Sequence, residues 1–238
     1  IMRLDKLLAN KAFGSRKEVH QLIKDQRVTI NGEVARKKDI HVDIESDVIA
    51  VDDQIVNTKQ HYYVKFHKPK GYVTAVEDTS HPVVMDLLPP EYIKMGVVPV
   101  GRLDKDTVGL LLLTNDGELN HRLISPKWKV DKVYYAKIDK KVTEEDIAKF
   151  KAGITLDDGY LCKEAKLEIL NASEDGSEIM VTIQEGKFHQ VKRMFEAVGK
   201  SVIYLKRVEF GTLPLDEDLE EGEYRELTEE ELAILKSF

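Results

Sequence analysis

Strand signals dominate the chain beyond residue 61 and limit the folds open to it. Eight short segments rich in β-branched, aromatic and leucine residues are typical of strands, whereas four helical segments do not alternate regularly with them. A parallel sheet built from βαβ units would require that alternation. The pattern predicts an α+β domain with a largely antiparallel sheet. Strands are expected over 62–66, 72–75, 97–100, 109–113, 133–138, 165–169, 179–183 and 202–205.

Residues 1–58 carry a separate pattern of two short helices followed by short strands. Leucines at helical spacing over 4–8, a capping box at 15–18 and the hairpin signal Asn31-Gly32 predict these elements. The polar stretch 57–61 is typical of a linker. We therefore expect one domain over 1–58 and a second over 59–238.

The net charge of −7 is distributed unevenly along the chain. Residues 216–238 contain ten acids and two bases, whereas residues 1–40 contain ten bases and five acids. Between 187 and 207, six bases are opposed by the single acid Glu196. One such cluster is more often a solvated helix face than a binding surface. Two clusters in one chain nevertheless favour a nucleic-acid partner, because an acidic protein can still present basic faces.

Several classes of site are excluded by the sequence. The single cysteine, Cys162, rules out an intramolecular disulfide and a thiolate zinc site, and the seven histidines lack metal-binding spacing. The motifs of phosphate-binding loops, dinucleotide sites and serine hydrolases are missing. We therefore expect no metal and no nucleotide cofactor. No apolar run approaches the roughly 18 residues of a membrane span, so we expect no membrane partner. A cytoplasmic location is the default expectation for a chain with a single cysteine. A monomer is the default oligomeric state.

A polar loop flanked by glycines leads directly into the most apolar segment of the chain. Residues 101–109 read Gly-Arg-Leu-Asp-Lys-Asp-Thr-Val-Gly, and four leucines follow at 110–113. Reactive groups are commonly carried by loops anchored on rigid strands, so Asp104 is a candidate catalytic carboxylate. The alternative is structural, because a loop aspartate can also cap its own turn.

This loop and three further motifs carry a family resemblance. Residues 101–117 resemble the central motif of the RsuA-type pseudouridine synthases of ribosomal RNA, and the family's other motifs occur in the expected order at 68–71, 132–134 and 185–194. The unit at 1–58 resembles the small α-L RNA-binding module, found also in a ribosomal protein, that this family carries. The resemblance spans nearly the whole chain. It implies an α-L domain followed by a mainly antiparallel catalytic domain.

The resemblance also implies roles for three residues. Asp104 matches the catalytic aspartate, Tyr134 matches the tyrosine that stacks on the flipped target base, and Lys192 matches the base that pairs with the aspartate. The family usually has arginine at position 192, so Arg193 is the alternative partner. Adjacent helical residues point about 100° apart, so only one can fill this role, and we favour Lys192. Whether Asp104 attacks the sugar C1′ or removes a sugar proton stays open.

The implied reaction is the isomerisation of one uridine of small-subunit (16S) ribosomal RNA, free or within an assembly intermediate, without a cofactor. One alternative is a uridine of large-subunit (23S) RNA, and another is a non-catalytic assembly factor that kept the fold. A hydrolase fused to an α-L unit is disfavoured by the missing nucleophile motifs. RNA contacts are expected from Lys68, Arg102, Lys105, Thr107, Lys132, Lys187, Gln190 and Arg193, and in the first unit from Arg3, Lys6, Arg16, Lys17 and Arg27.

Overall fold

Hydrophobic cores form in two separate parts of the chain. The computed structural model describes residues 1–238, which divide into a first unit of residues 1–60 and a second unit of residues 61–238. Leucines of the first helix, at positions 4, 7 and 8, are buried in the core of the first unit. None of the helices in either unit combines the length and apolarity that a membrane crossing requires.

In the first unit, two short helices precede a small antiparallel sheet. Its elements are β1 (Met2–Arg3), α1 (Leu4–Asn10), α2 (Arg16–Lys24), β2 (Val28–Ile30), β3 (Glu33–Val34), β4 (His41–Val42), β5 (Ile49–Val51) and β6 (Gln54–Ile55). Helix α2 begins after Ser15, whose hydroxyl accepts a hydrogen bond from the Glu18 amide (3.2 Å). The sheet order is β3-β2-β5-β6, and β1 pairs separately with β4.

The second unit is built on one large sheet with five helices. Its strands are β7 (Tyr63–Lys68), β8 (Val98–Pro99), β9 (Val108–Thr114), β10 (Lys132–Ile138), β11 (Lys166–Ser173), β12 (Gly176–Ile183), β13 (Val202–Phe210), β14 (Leu213–Pro214) and β15 (Tyr224–Glu226). Its helices are α3 (Pro90–Lys94), α4 (Gly117–Ile124), α5 (Glu144–Ala152), α6 (Gln190–Glu196) and α7 (Glu229–Lys236), with 3₁₀ turns at Val84–Leu87 and Pro126–Trp128.

The large sheet is antiparallel except at its centre. Its order is β11-β12-β10-β13-β9-β7-β15, with β8 paired to β9 and β14 paired to β13. Only the β9–β13 pair is parallel. The leucines of β9 alternate between two cores, with Leu111 and Leu113 on one side of the sheet and Leu110 and Leu112 on the other. The predicted α+β class with a mainly antiparallel sheet is therefore confirmed.

One expected strand is absent, so the prediction for residues 72–75 is wrong. Val73 makes only an isolated bridge to Val83. Pro69 has no amide hydrogen to give, and Gly71 adopts a left-handed backbone (φ +97°), so the chain turns where a strand would have to begin. The Thr74 hydroxyl makes hydrogen bonds with the carbonyl and the amide of Leu103. A side chain, and not a ladder of backbone hydrogen bonds, therefore connects this segment to the neighbouring loop.

Gly109 lies where β9 meets β13. Its φ is +110°, and a Cβ atom added there would lie 2.2 Å from the Arg207 carbonyl oxygen. The two residues are register partners in the parallel pair. A glycine is therefore required here by both the backbone conformation and the close approach of the neighbouring strand.

A buried ion-pair network fastens the C-terminal helix α7 to the sheet. Lys65 on β7 is fully buried, and its ammonium donates hydrogen bonds to Pro214 O (2.8 Å), Asp216 Oδ1 (3.0 Å) and Glu231 Oε2 (2.7 Å). Arg225 on β15 pairs with the same two carboxylates. Hydrogen bonds from Arg225 and Lys65 outweigh burial and hold the pKa of Glu231 well below its usual range.

Candidate active site

The end of β7 and the turn that follows it hold the polar loop 101–107 in place. The Lys68 ammonium donates hydrogen bonds to the carbonyl oxygens of Pro69 (3.1 Å), Lys105 (3.0 Å) and Thr107 (2.7 Å). The Gly71 amide also donates to the Lys105 carbonyl (2.9 Å). Two motifs that lie more than thirty residues apart in the sequence therefore form one structural unit.

Further contacts fix the backbone on both sides of Asp104. The Thr74 hydroxyl donates to the Leu103 carbonyl (2.7 Å) and accepts from the Leu103 amide (3.1 Å). The Thr107 amide donates to the Asp104 carbonyl (3.0 Å), which closes a tight turn. The backbone of the loop is therefore set before any substrate binds.

The Asp104 carboxylate meets two side chains from the start of α6. Lys192 Nζ lies 3.5 Å from Oδ2, and His189 Nε2 lies 3.5 Å from Oδ1. The Asp104 and Lys192 side chains are 29% and 25% exposed, so the pair lies at the edge of the solvent. An ammonium at this distance attracts an ionised carboxylate, and the imidazole adds attraction only when it is protonated.

Arg193, the neighbour of Lys192, binds a different set of groups. Its guanidinium pairs with Asp157 (2.6 Å) and Asp158 (3.0 Å) and donates to the Phe188 carbonyl (2.9 Å). The two basic side chains therefore leave α6 in different directions, as adjacent helical positions require. Lys192, and not Arg193, lies beside the loop aspartate.

Buried polar residues fix the loop that precedes α6. The Glu185 carboxylate accepts hydrogen bonds from the Tyr160 hydroxyl, the Lys163 amide (2.8 Å) and the Gln190 side-chain amide (3.2 Å). The Gln190 side chain accepts in turn from the Lys187 amide (3.0 Å). The hydrogen bond to Glu185, followed by burial, raises the pKa of Tyr160 to about 12. The loop is thus held by side chains from both of its ends.

Tyr134 on β10 faces the pocket that contains Asp104. Its side chain is buried (8% exposed) and lines that pocket together with Asp104 and Ile183. Tyr135 points to the opposite face of the sheet, where its ring packs edge-on against Tyr204 with 6.0 Å between centroids. This is the alternation expected of neighbouring residues in a strand.

Arg207 on β13 lies next to Tyr134 in the sheet. It was not singled out from the sequence. It is a register partner of Tyr134 and is 2% exposed. Its Nε donates to the Leu110 carbonyl (2.8 Å), and its guanidinium lies 5.0 Å from the Phe210 ring centre. Burial lowers the pKa of Arg207, and the neighbouring Tyr134 hydroxyl opposes that shift. Residues i and i+2 of a strand lie on the same face of the sheet. Arg207 follows the apolar Leu205 by two residues, and this spacing is the sequence signal that could have revealed a buried arginine.

Two further lysines near the site have depressed pKa values. Burial lowers the pKa of Lys68 to about 8, against the attraction of Asp106 and Asp104. Burial and the positive charge of Arg207 lower the pKa of Lys132 to about 8. The described residues contain no group of three or more histidine, cysteine, aspartate or glutamate side chains arranged to hold a metal ion.

Three of the residues expected to contact RNA are buried in the structure, and their contacts with RNA stay predictions. Lys68, Thr107 and Gln190 are 0%, 2% and 4% exposed. Lys68 hydrogen-bonds to the backbone of the loop 101–107, and Gln190 hydrogen-bonds to the backbone of the loop before α6. The Thr107 hydroxyl is buried without a hydrogen-bond partner. Of the others, Arg102, Lys105 and Lys187 are exposed, whereas Lys132 and Arg193 are partly buried.

The five basic residues of the first unit that were expected to contact RNA fall into two groups. Arg3 pairs with the buried Asp5 (2.9 Å), and Arg27 pairs with the exposed Asp52 (2.6 Å). Burial opposes ionisation of Asp5, but hydrogen bonds from Arg3 and His20 hold its pKa at about 2. The second group is exposed and consists of Lys6, Arg16 and Lys17.

Comparison with known proteins identifies both units of the chain. The family model described as RNA pseudouridylate synthase matches residues 62–197, and the S4 domain model matches residues 2–49. A Bacillus subtilis protein named as an uncharacterized RNA pseudouridine synthase is 47% identical, over 98% of this chain and 98% of its own length. The ribosomal small subunit pseudouridine synthase A of Escherichia coli is 38% identical, over 98% of this chain and 99% of its own length.

A solved structure supports the same relationship. The crystal structure of a pseudouridylate synthase with 37% sequence identity superposes with a TM-score of 0.68 and covers 99% of this chain and 100% of that one. Sequence and fold therefore agree over both units.

Proposed function

Because this chain belongs to the RNA pseudouridine synthase family, we propose that it isomerises one uridine of small-subunit (16S) ribosomal RNA, with Asp104 as the catalytic carboxylate. The observation that carries the proposal is the position of Asp104. It sits on a fixed turn, 3.5 Å from Lys192, in the pocket that Tyr134 lines. We expect the protein to act in the cytoplasm on ribosomal RNA or on an assembling subunit.

The chemistry requires an ionised carboxylate next to the target sugar. The N1–C1′ bond of the uridine breaks, the uracil turns, and a C5–C1′ bond forms while the C5 hydrogen leaves as a proton. Asp104 can act as the nucleophile at C1′ or as the base that removes a sugar proton. Lys192 places a positive charge 3.5 Å from that carboxylate.

Tyr134 is suited to receive the flipped base. The target uridine must leave its stack before its C1′ can reach the carboxylate, and an aromatic face replaces the lost stacking. The buried guanidinium of Arg207 lies beside the Tyr134 hydroxyl. This position suits Arg207 to hold the Tyr134 ring in the pocket. We assign Arg207 a positioning role.

The small-subunit target rests on the relatives, and the exposed bases support RNA binding in general. The Escherichia coli relative that covers 98% of the chain is named for the ribosomal small subunit. Around the pocket, Arg102, Lys105 and Lys187 are exposed and can meet RNA phosphates. In the S4 unit the exposed bases Lys6, Arg16 and Lys17 are the corresponding candidates.

The test is tritium release from 5-tritiated uridine in 16S RNA, 23S RNA and small-subunit assembly particles. The wild type should release tritium from 16S RNA or its particle, and Asp104→Asn should lower the rate at least about a hundredfold. Asp175→Asn, at an exposed aspartate of the β11–β12 turn, is the matched control and should keep full activity. Release from 23S RNA alone would refute the proposed target. Full activity of Asp104→Asn would refute the catalytic role, and no release from any RNA would favour a binding factor.

A further inference from the structure

Phe188 is a large apolar side chain that the folded protein leaves in solvent. It is 74% exposed, far more than any other phenylalanine, tyrosine or tryptophan of the chain. It lies in the loop between β12 and α6, one residue before His189. An aromatic ring that gains nothing from burial in the fold is a candidate for contact with a partner.

The ring is coupled to the active site through His189. The Phe188 and His189 rings are stacked, with 3.8 Å between centroids and 17° between planes. His189 Nε2 lies 3.5 Å from Asp104 Oδ1. One face of the phenyl ring therefore lies against a side chain that touches the catalytic carboxylate, and the other face is open to solvent.

The position of the pair is fixed by the backbone around it. His189 adopts a left-handed conformation (φ 48°, ψ 38°), which is uncommon for a residue with a side chain. The Arg193 guanidinium donates to the Phe188 carbonyl (2.9 Å) and is itself held by Asp157 and Asp158. An uncommon backbone conformation that is held in place and presents an exposed ring points to a binding element.

We propose that Phe188 is the stacking platform for the RNA base next to the target uridine. This inference rests on the proposed function. When the uridine flips into the pocket, its neighbour loses a stacking partner, and the open face of Phe188 can replace it. Base stacking on aromatic side chains tolerates any base identity, because every base has a π face. The exposed Lys187 precedes Phe188 in the chain, and the partly exposed Lys192 lines the same open pocket as Phe188. Both can provide positive charge for the flanking phosphates.

Phe188 thereby acts on the position of the RNA and not on the reacting atoms. Removing an aromatic platform typically weakens binding about fivefold to 150-fold. We expect Phe188→Ala to raise KM by a factor in this range, with a smaller change in kcat. Phe188→Trp keeps a planar ring and should restore most of the loss. Since the ring is exposed, neither substitution should lower the thermal unfolding temperature.

The decisive experiment removes the proposed partner instead of the ring. RNA fragments are centred on the uridine that the wild type modifies and carry an abasic nucleotide on its 5′ or its 3′ side. With the wild type, one of the two should lower kcat/KM about fivefold to 150-fold. With Phe188→Ala, the same abasic site should cause no further loss. Leu170→Ala, at a 55% exposed position of the edge strand β11, is the control and should keep the wild-type sensitivity.

If an abasic site on either side lowers kcat/KM equally for the wild type and for Phe188→Ala, the proposed stacking role of Phe188 is refuted. Binding of the same fragments to Asp104→Asn, measured without turnover, separates this failure from failure of the proposed function. If no RNA is modified, the fragments are taken from the 16S segment that the protein protects from nuclease. A loss of affinity that depends on both Phe188 and one particular base would then support the platform, and its absence would refute it.

Discussion

Replacing Gly109 by alanine tests how closely β9 and β13 must approach for the site to form. The added Cβ would lie 2.2 Å from the Arg207 carbonyl oxygen and 2.7 Å from its amide nitrogen, both of them backbone atoms. Ordinary contact begins at 3.4 Å, so one strand must move by roughly 1 Å. The φ of +110° adds backbone strain for any residue with a side chain.

The two effects have separate magnitudes. Overpacking of a rigid interior costs about 1–3 kcal/mol, and an unfavourable φ costs about 1–3 kcal/mol, so the free energy of unfolding should fall by about 2–6 kcal/mol. For a chain of this size the unfolding temperature should fall by about 2–4 °C per kcal/mol. The shift also separates Asp104, in the loop before β9, from Arg207 on the adjacent strand β13 and from Tyr134 on β10, the strand beyond it. A misplacement of about 1 Å can lower kcat/KM about a hundredfold.

Thermal unfolding by circular dichroism and tritium release well below the transition provide the two readouts. Gly222→Ala is the matched control, because Gly222 also has a left-handed φ (+87°) but no atom within 4 Å of its missing Cβ. The control should lose stability through strain alone and keep its activity. Wild-type stability and activity in Gly109→Ala, or equal losses in the two variants, would refute the reasoning.

Three further predictions concern the charges. Lys192→Met should lower kcat at least about tenfold, and Lys192→Arg should retain more of the wild-type kcat. Arg193→Met should act mainly on KM. Equal losses of kcat at positions 192 and 193 would contradict the pairing of Lys192 with Asp104. The pKa of Asp5, lowered from 3.8 to about 2, contributes roughly 2 kcal/mol that is fully present above pH 4 and is lost as the pH falls towards 2. Asp5→Asn should therefore destabilise the first unit much more at pH 7 than at pH 2, as chemical denaturation at both pH values would reveal. RNA affinity, measured by filter binding, should fall steeply between 50 and 200 mM salt, and an unchanged affinity would contradict phosphate contacts.

Local patterns predicted much of the fold, because they depend on neighbours in sequence. The antiparallel sheet and the opposite orientations of Tyr134 and Tyr135 follow from strand periodicity. The error at 72–75 arose because β-branched and aromatic residues there gave a strand signal. The Thr74 side chain bonds Leu103, 29 residues further along, and short-range patterns do not encode that contact.

The candidate site was predicted less completely, because burial of a charge depends on distant partners. Lys68 looks like a surface base until the carbonyls of Lys105 and Thr107 are folded against it. Arg207 went unnoticed because an arginine in a strand is usually at the surface. The roles of Asp104, Tyr134 and Lys192 stay predictions that the proposed kinetics will test.

The network around Lys65 has a consequence for how this protein can be engineered. The counter-charges of Lys65 come from Asp216 and Glu231, which belong to the last 23 residues of the chain. On the same strand, three residues later, Lys68 holds the loop of residues 101–107. A variant shortened by deletion of α7 would leave the buried Lys65 ammonium without Glu231. The loss of this ion pair would disturb β7, the strand that also carries Lys68. Affinity tags and reporters should accordingly extend the chain beyond Phe238 and not replace its final helix.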